Sequence, residues 1–169
     1  MILYHGSNTD IINIDLTKCK PYKDFGKGFY LTDIKEQAFK MANRVAKIYG
    51  GIPIVNIYEI ENDLQLKNFL SIKNCGKKTT AEWTTFVMNN RNKNFQDTQN
   101  LLCNKDCKYD IVIGPVADDN MALLFRQFEN ELIDFQTLLN GMIYKETSSQ
   151  YSFHTQRAAE LLNKIGISK

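Results

Sequence analysis

The chain contains two histidines, His5 and His154, and each follows a short apolar run. Imidazole titrates near neutral pH and often serves as a general base or as a ligand-binding group. His5 is followed by Gly6 and Ser7, so we expect its ring and the nearby backbone groups to face a cleft. His154 precedes a predicted helix start, where capping or packing is the simpler role. His5 is therefore the stronger candidate.

The other candidates for chemistry are the thiols and one pair of glycines. The segment Gly26-Lys27-Gly28 lacks the spacing of a phosphate-binding loop, and on its own it predicts a turn. Two of the thiols are spaced as in some zinc sites, but a structural zinc normally needs four ligands. The spacings define no disulfide framework, so we expect free thiols and no metal. The cysteines are Cys19, Cys75, Cys103 and Cys107.

The composition is that of an ordinary globular protein. Of 169 residues, 43% are hydrophobic and 24% are charged, and the net charge is +2. So small a net charge does not indicate binding to nucleic acid or to a membrane surface. No stretch approaches the roughly 20 apolar residues of a membrane helix, and the N-terminus has no signal-peptide pattern. We expect one cytoplasmic domain spanning residues 1–169.

The elements that must position these residues are short strands mixed irregularly with helices, which predicts an α+β fold. Helices are predicted over residues 80–88 and after the N-caps Asp33, Asp118 and Thr155, the one after Asp118 being interrupted near Asn130. Residues 89–106 carry little pattern and are interpreted as a mobile surface loop. The predicted strands are 2–5, 28–32, 54–60, 63–69, 109–113 and 150–153.

Helical spacing also predicts which side chains point inward. In the helix after Asp33, the inward face comprises Ala38, Met41, Ala42, Val45, Ile48 and Tyr49. In the terminal helix after Thr155, it comprises Ala158, Leu161, Leu162 and Ile165.

Two segments near the N-terminus resemble known motifs. Leu3-Tyr4-His5-Gly6-Ser7 resembles the first motif of the ADP-ribosyltransferase superfamily, in the branch of the poly(ADP-ribose) polymerases and diphtheria toxin. The segment from Gly26 to Asp33, followed by Gln37-Ala38, resembles the second motif, a Gly-x-Gly-x-Tyr strand that runs into a helix. Nearly the whole chain is also similar to a family of small bacterial domains in this superfamily.

The resemblance implies a split, mixed β-core with flanking helices and a cleft that binds NAD as the substrate. By analogy, His5 hydrogen-bonds the adenosine-side ribose, and the backbone of Gly6 clamps the nicotinamide carboxamide. Tyr30 stacks on the nicotinamide ring, and Ser7 and Gly28 belong to the same cofactor site. The side chains of His5 and Tyr30 are then expected to face one cleft across the split.

The third motif departs from the pattern of the superfamily. Its Glu normally binds the nicotinamide ribose and stabilises the positive charge that forms there, but the late strand of this chain begins with Gln150. A Gln can accept a hydroxyl hydrogen, but it carries no charge and is no general base. Glu146 is an alternative source of the carboxylate. We expect Gln150 to line the same cleft as Tyr30, and Gln150→Glu to preserve or raise NAD cleavage.

The resemblance therefore implies an NAD-dependent ADP-ribosyltransferase, with Gln150, Tyr30 and Glu146 as the catalytic candidates. The analogy extends to a small bacterial toxin or effector that modifies a macromolecular acceptor and is held in check by a protein antitoxin or regulator. Two alternatives stay open. One is an NAD glycohydrolase, with water as the acceptor. The other is an inactive module that binds NAD or a nucleotide and acts through a protein partner.

Overall fold

One seven-stranded sheet organises the protein. The computed structural model describes residues 1–62, 68–117, 119–142 and 148–169. The strands are β1 (Ile2–Ser7), β2 (Phe29–Thr32), β3 (Ile54–Glu59), β4 (Ile72–Asn74), β5 (Ile111–Pro115), β6 (Ser149–Phe153) and β7 (Asn163–Ser168). Their order in the sheet is β4-β5-β6-β2-β1-β3-β7, with β4 and β5 parallel and the other neighbours antiparallel.

Helices flank this mixed sheet, which confirms the prediction of an α+β fold. Within the described residues they are α1 (Lys35–Tyr49), α2 (Ala81–Arg91), α3 (Asp119–Glu129), α4 (Phe135–Met142) and α5 (Gln156–Ala159). A bilayer could not be crossed by any helix in the described part of the chain, since none has the necessary length and apolar character. The short helix predicted over residues 80–88 is α2, and the Thr80 hydroxyl caps it by accepting a hydrogen bond from the Trp83 amide.

The two larger hydrophobic clusters lie on opposite faces of the sheet, because successive side chains of a strand point to opposite faces. One cluster includes Leu3, Phe29, Leu31, Tyr58 and Phe153. The other lies beneath α2, α3 and α4 and includes Phe25, Trp83, Phe86, Val112 and Met121.

Helix α1 packs against β1 at an unusually short distance. A Cβ atom on Gly6 would overlap the carbonyl oxygen of Ala38 and lie 2.7 Å from the amide nitrogen of Ala42. Only small side chains fit between helix and sheet, and the buried residues of α1 are Ala38 and Ala42. The wider inward face predicted for α1 is therefore wrong, since Met41 is 49% exposed and Ile48 is 61% exposed.

The start of α1 also differs from the prediction. Asp33 does not cap the helix, because the N-cap residue is Ile34 and it makes no side-chain cap bond. The hydroxyl of Thr32 instead accepts a hydrogen bond from the Ile34 amide, at 3.2 Å. A short side chain two residues before the cap therefore satisfies this backbone donor.

The predicted terminal helix is wrong beyond Ala159. Helix α5 ends there, and residues 163–168 form the edge strand β7, paired antiparallel with β3. Ile165, predicted to face inward, is 51% exposed. The β-branched residues Ile165 and Ile167 alternate with smaller or polar ones, a period that suits a strand beside β3.

Residues 89–106 are predicted from the sequence to form a mobile surface loop, but several of them are buried or hydrogen-bonded to the rest of the domain. Helix α2 extends to Arg91, and Cys103 and Asn104 are fully buried. The Asn104 amide group bonds the backbone of Tyr109 in both directions, at 2.8 and 3.2 Å. The strand predicted over 63–69 and the helix cap predicted at Asp118 fall largely or wholly outside the described residues.

The pairing between β1 and β2 is the shortest in the sheet. A single pair, Tyr4 and Thr32, is in register there. On its other side, β1 is in register with β3 from Ile2 to Ser7. Beyond Tyr4, therefore, β1 is held mainly by β3 and α1, and its ladder with β2 does not continue.

Candidate functional site

Tyr30 and Gln150 lie on the same face of the sheet. In the antiparallel pair β2–β6, Tyr30 is opposite Ser152 and Thr32 is opposite Gln150. Residues two apart in a strand share a face, so the side chains of Tyr30 and Gln150 are diagonal neighbours. This arrangement brings together two sequence-predicted site residues that are far apart in the chain.

The amide nitrogen of Gln150 bonds two acceptors. Nε2 donates to Oδ2 of Asp24 at 2.9 Å and to the carbonyl oxygen of Pro115 at 3.2 Å. Asp24 in turn accepts a bond from Nη1 of Arg91 at 3.2 Å and from the amide of Ala117 at 3.3 Å. A carboxylate is therefore present beside Gln150, although the sequence places none at that position of the strand.

The geometry reverses one expectation about Gln150. A Glu at this position would bring a second carboxylate against Asp24 and against the carbonyl oxygen of Pro115. Like charges and paired acceptors at hydrogen-bond distance repel each other. We now expect Gln150→Glu to weaken the site, whereas the superfamily pattern alone predicts that it preserves or raises activity.

Tyr30 anchors the loop that precedes β2. Its hydroxyl donates to the carbonyl of Gly26 at 2.8 Å and accepts from the amide of Phe25 at 3.0 Å. Burial, together with the negative charge of Asp24, raises the pKa of Tyr30 well above its ordinary value. The phenol therefore stays protonated, and its aromatic ring lies between Phe25 and His154.

His5 lies on the other face, so the expectation that His5 and Tyr30 face one cleft is wrong, and the resemblance to the superfamily loses this part of its basis. Its ring stacks on Phe29, the neighbour of Tyr30 in β2, with the ring centroids 4.3 Å apart. Side chains alternate along a strand, which puts Phe29 and Tyr30 on opposite faces. His5 does reach the joint between β1 and β2, where Nδ1 donates to the carbonyl of Tyr30 at 2.7 Å.

The hydrogen bond to the Tyr30 carbonyl also determines which nitrogen of the His5 ring carries the hydrogen. Burial lowers the pKa of His5, and the bond to the Tyr30 carbonyl opposes that shift only in part. The neutral ring carries its hydrogen on Nδ1, since a carbonyl oxygen can only accept. Nε2 of the neutral ring is then a hydrogen-bond acceptor.

The remaining predicted residues occupy varied positions. Gly6 is explained by its contact with α1, and Ser7 ends β1 at the register position opposite Ile54. Gly28 is required by packing too, because a Cβ atom there would lie 2.7 Å from Nδ1 of His154. Glu146 lies outside the described residues.

The family model described as "Protein of unknown function (DUF3990)" matches residues 1–163. The chain belongs to this family. Neither a curated protein nor a solved structure shows significant similarity to it.

In this DUF3990 protein, His154 forms a buried pair with Ser152. Nδ1 of His154 donates to the carbonyl of Lys27 at 2.8 Å, and Nε2 lies 2.8 Å from the Ser152 hydroxyl. The Ser152 hydroxyl also contacts the carbonyl of Val112 at 3.1 Å, so two acceptors share its one hydrogen. A serine beside a histidine can act as a nucleophile, but Ser152 is fully buried. The pair therefore supports the fold, as the simpler interpretation of His154 predicts.

The burial of His154 makes the stability of the DUF3990 protein sensitive to acid. Burial lowers the pKa of His154 from 6.5 to about 4. Between these values the unfolded chain binds a proton that the folded protein does not, so stability falls as the pH falls. We expect the unfolding free energy to drop by about 2 kcal/mol from pH 7.5 to pH 5 through His154. Urea titrations at several pH values measure the slope.

The matched variant for this prediction is His154→Gln, which should flatten the slope between pH 6.5 and pH 5 relative to wild type. His5, whose pKa is also lowered, accounts for a remaining slope of the same sign. An unchanged slope in His154→Gln would contradict the assignment to His154.

Two cavities are lined by neither Tyr30 nor Gln150, whereas Cys75 lies against Gly114, the register partner of Gln150. All four cysteines are free, as predicted. Cys107 and His154 line one cavity of about 190 Å³, but burial raises the pKa of the Cys107 thiol and both ring nitrogens of His154 are engaged. A second cavity, of about 350 Å³, lies between Tyr58 and β7. Among the described residues, no cluster of His, Cys, Asp and Glu could hold a metal.

Sequence reasoning missed two polar clusters of the DUF3990 protein. One is Asp24 with Arg91 at Gln150. The other is the fully buried carboxylate of Asp110, which accepts two hydrogen bonds of 2.7 Å from Arg157 and one of 2.8 Å from the amide of Ser71. Neither cluster has a local sequence signal, because the partners of each carboxylate come from distant segments.

Proposed function

We propose that this DUF3990 protein is an NAD-dependent enzyme that transfers ADP-ribose to a macromolecular acceptor and releases nicotinamide. The observation that carries the proposal is the placement of Tyr30 and Gln150, from the second and third motifs, as diagonal neighbours on adjacent strands. The three motif strands β6, β2 and β1 are also consecutive in the sheet. The ladder between β1 and β2 is short, which agrees with the split β-core that the resemblance implies.

In this proposal, Gln150 and Tyr30 have roles that their surroundings allow. The amide oxygen of Gln150 accepts a hydrogen from a hydroxyl of the nicotinamide ribose. The aromatic ring of Tyr30 supports the nicotinamide. His5 has no role in this site, because its ring stacks on Phe29 at the opposite face of the sheet. Substrate binding then requires Phe25, whose ring stacks on that of Tyr30, to yield space.

A second candidate is a DUF3990 module that binds NAD without turning it over. Two observations favour it: position 150 carries no charge, and the Gln150 side chain is only 9% exposed. Transfer of ADP-ribose to water, as in an NAD glycohydrolase, would use the same site as the leading proposal.

Titration of the protein with NAD, combined with measurement of nicotinamide release, tests the proposal. For Gln150→Ala, we expect a roughly 5- to 150-fold loss of NAD affinity, since a ribose hydroxyl loses its acceptor. Gln136→Ala, on the exposed surface of α4, is the control and should bind as wild type does. Expression in a bacterial host adds a second readout, in which wild type arrests growth and Gln150→Ala relieves the arrest.

The outcomes separate the candidates. Binding of NAD with nicotinamide release supports the enzyme, and binding without release identifies the inactive module. A wild-type protein that does not bind NAD overturns both.

A further inference from the structure

We infer that Asp24 supplies the negative charge of this site and acts on the substrate through Gln150, as a positioning residue. The inference rests on the proposed function and deepens it. In the superfamily pattern one Glu combines a hydrogen-bond acceptor and a charge. Here those two tasks are divided between an amide on β6 and a carboxylate from the loop before β2.

The first argument is the orientation of the Gln150 amide. An amide has one donor end and one acceptor end, and the surrounding groups decide which way it points. Nε2 faces two acceptors, the Asp24 carboxylate at 2.9 Å and the Pro115 carbonyl at 3.2 Å. Rotation of the amide would put Oε1 against both of them. Oε1 is therefore held as the end that can accept from a ligand hydroxyl.

The second argument is that Asp24 is itself held in place. Arg91 of α2 binds Oδ1, and the Ala117 amide and Gln150 bind Oδ2. The Asp24 side chain is 16% exposed, and that of Arg91 is 29% exposed. Water therefore screens this carboxylate less than it would a surface carboxylate.

The third argument concerns the reaction. The bond between the ribose anomeric carbon and nicotinamide breaks, and its electron pair leaves with nicotinamide. A lone pair of the acceptor forms the new bond to that carbon, and the proton of the acceptor passes to solvent. Positive charge develops on the ribose between these events, and a fixed negative charge nearby lowers the barrier. At an effective dielectric constant near 20, one charge held within several ångströms changes the rate by roughly 50-fold.

The test is an exchange of the two groups. In Asp24→Asn the charge is lost while the shape is kept, and we expect kcat to fall roughly 50-fold with the KM for NAD changed less than about threefold. In Gln150→Glu two carboxylates meet, and activity should also fall. The double variant Asp24→Asn with Gln150→Glu again has one amide and one carboxylate, and we expect its kcat to exceed that of either single variant about tenfold.

Each outcome decides between alternatives. Asp106→Asn, which alters another partly buried, ion-paired carboxylate, is the control and should keep wild-type kcat. Asp24→Asn with wild-type or higher kcat would overturn the inference while the proposed function stands, and a higher kcat would mean that Asp24 obstructs the site. Rate losses that match the unfolded fraction of each variant would show a merely structural role. Failure of wild type to bind NAD would overturn the inference together with the function.

Discussion

Gly6→Ala is expected to destabilise the folded protein by about 3 kcal/mol, the upper end of what overpacking usually costs. The new methyl group would overlap the carbonyl of Ala38 and lie 2.7 Å from the amide nitrogen of Ala42. Both obstacles are backbone atoms of α1, so no side-chain rotation relieves the overlap. The helix must move away from β1, and its alanine contacts with Val55 are then lost.

Gly166→Ala is the matched control for this prediction. Gly166 also lies in a strand, but a Cβ atom there would meet nothing within 4 Å. We expect its unfolding free energy to stay within about 0.5 kcal/mol of wild type. Urea denaturation of both variants gives the comparison. Equal stabilities would show that α1 is not held at this distance by Gly6.

Asp110→Ala is expected to lower the unfolding free energy by about 3 kcal/mol. The Asp110 carboxylate is fully buried, and it joins β5 to α5 through Arg157 and Thr155 and to the segment before β4 through the Ser71 amide. Removal of the carboxylate leaves the Ser71 amide without this acceptor. Asp10→Ala, which breaks an ion pair with Lys164 from a 47% exposed side chain, should cost less than about 1 kcal/mol.

Acid unfolding checks the same carboxylate. Burial acts to raise the pKa of Asp110, but the hydrogen bonds from Arg157, Thr155 and Ser71 outweigh it, so the pKa is lowered. A lowered carboxyl pKa stabilises the fold above the ordinary pKa, and this contribution disappears as the pH falls toward the folded value. Asp110→Ala should therefore lose less stability than wild type below about pH 4. A variant as stable as wild type at pH 7 would contradict the assigned role.

Much of the sheet could be predicted from local patterns, and the errors have physical causes. The strands containing His5, Tyr30 and Gln150 are short runs of β-prone residues between turn signals, and the structure confirms them. The last segment was harder, because Leu161, Leu162 and Ile165 fit helical spacing while Ile165 and Ile167 fit a strand. This segment forms a strand because the outer edge of β3 is open to pair with it. That edge exists only in the folded sheet, so local sequence patterns do not show it.

Only part of the candidate site could be predicted from the sequence. The shared face of Tyr30 and Gln150 follows from a register between strands that the motifs already suggested. The His5 side chain lies on the face opposite Tyr30 because β1 pairs with β2 at Tyr4. Composition does not reveal this register. The bond from Gln150 to Asp24 joins residues 126 positions apart, and no periodicity points to it.

The strand order has a consequence for synthesis of the protein. Strand β2 lies between β1 and β6, but β6 begins at Ser149, near the end of the chain. On a ribosome, β2 emerges early and keeps one edge unpaired until β6 has been made. Contacts between residues so distant in sequence also slow folding. The face that bears Tyr30 and Gln150 therefore does not exist in the nascent chain until residues 149–153 have been made, and any activity of this site begins only after that.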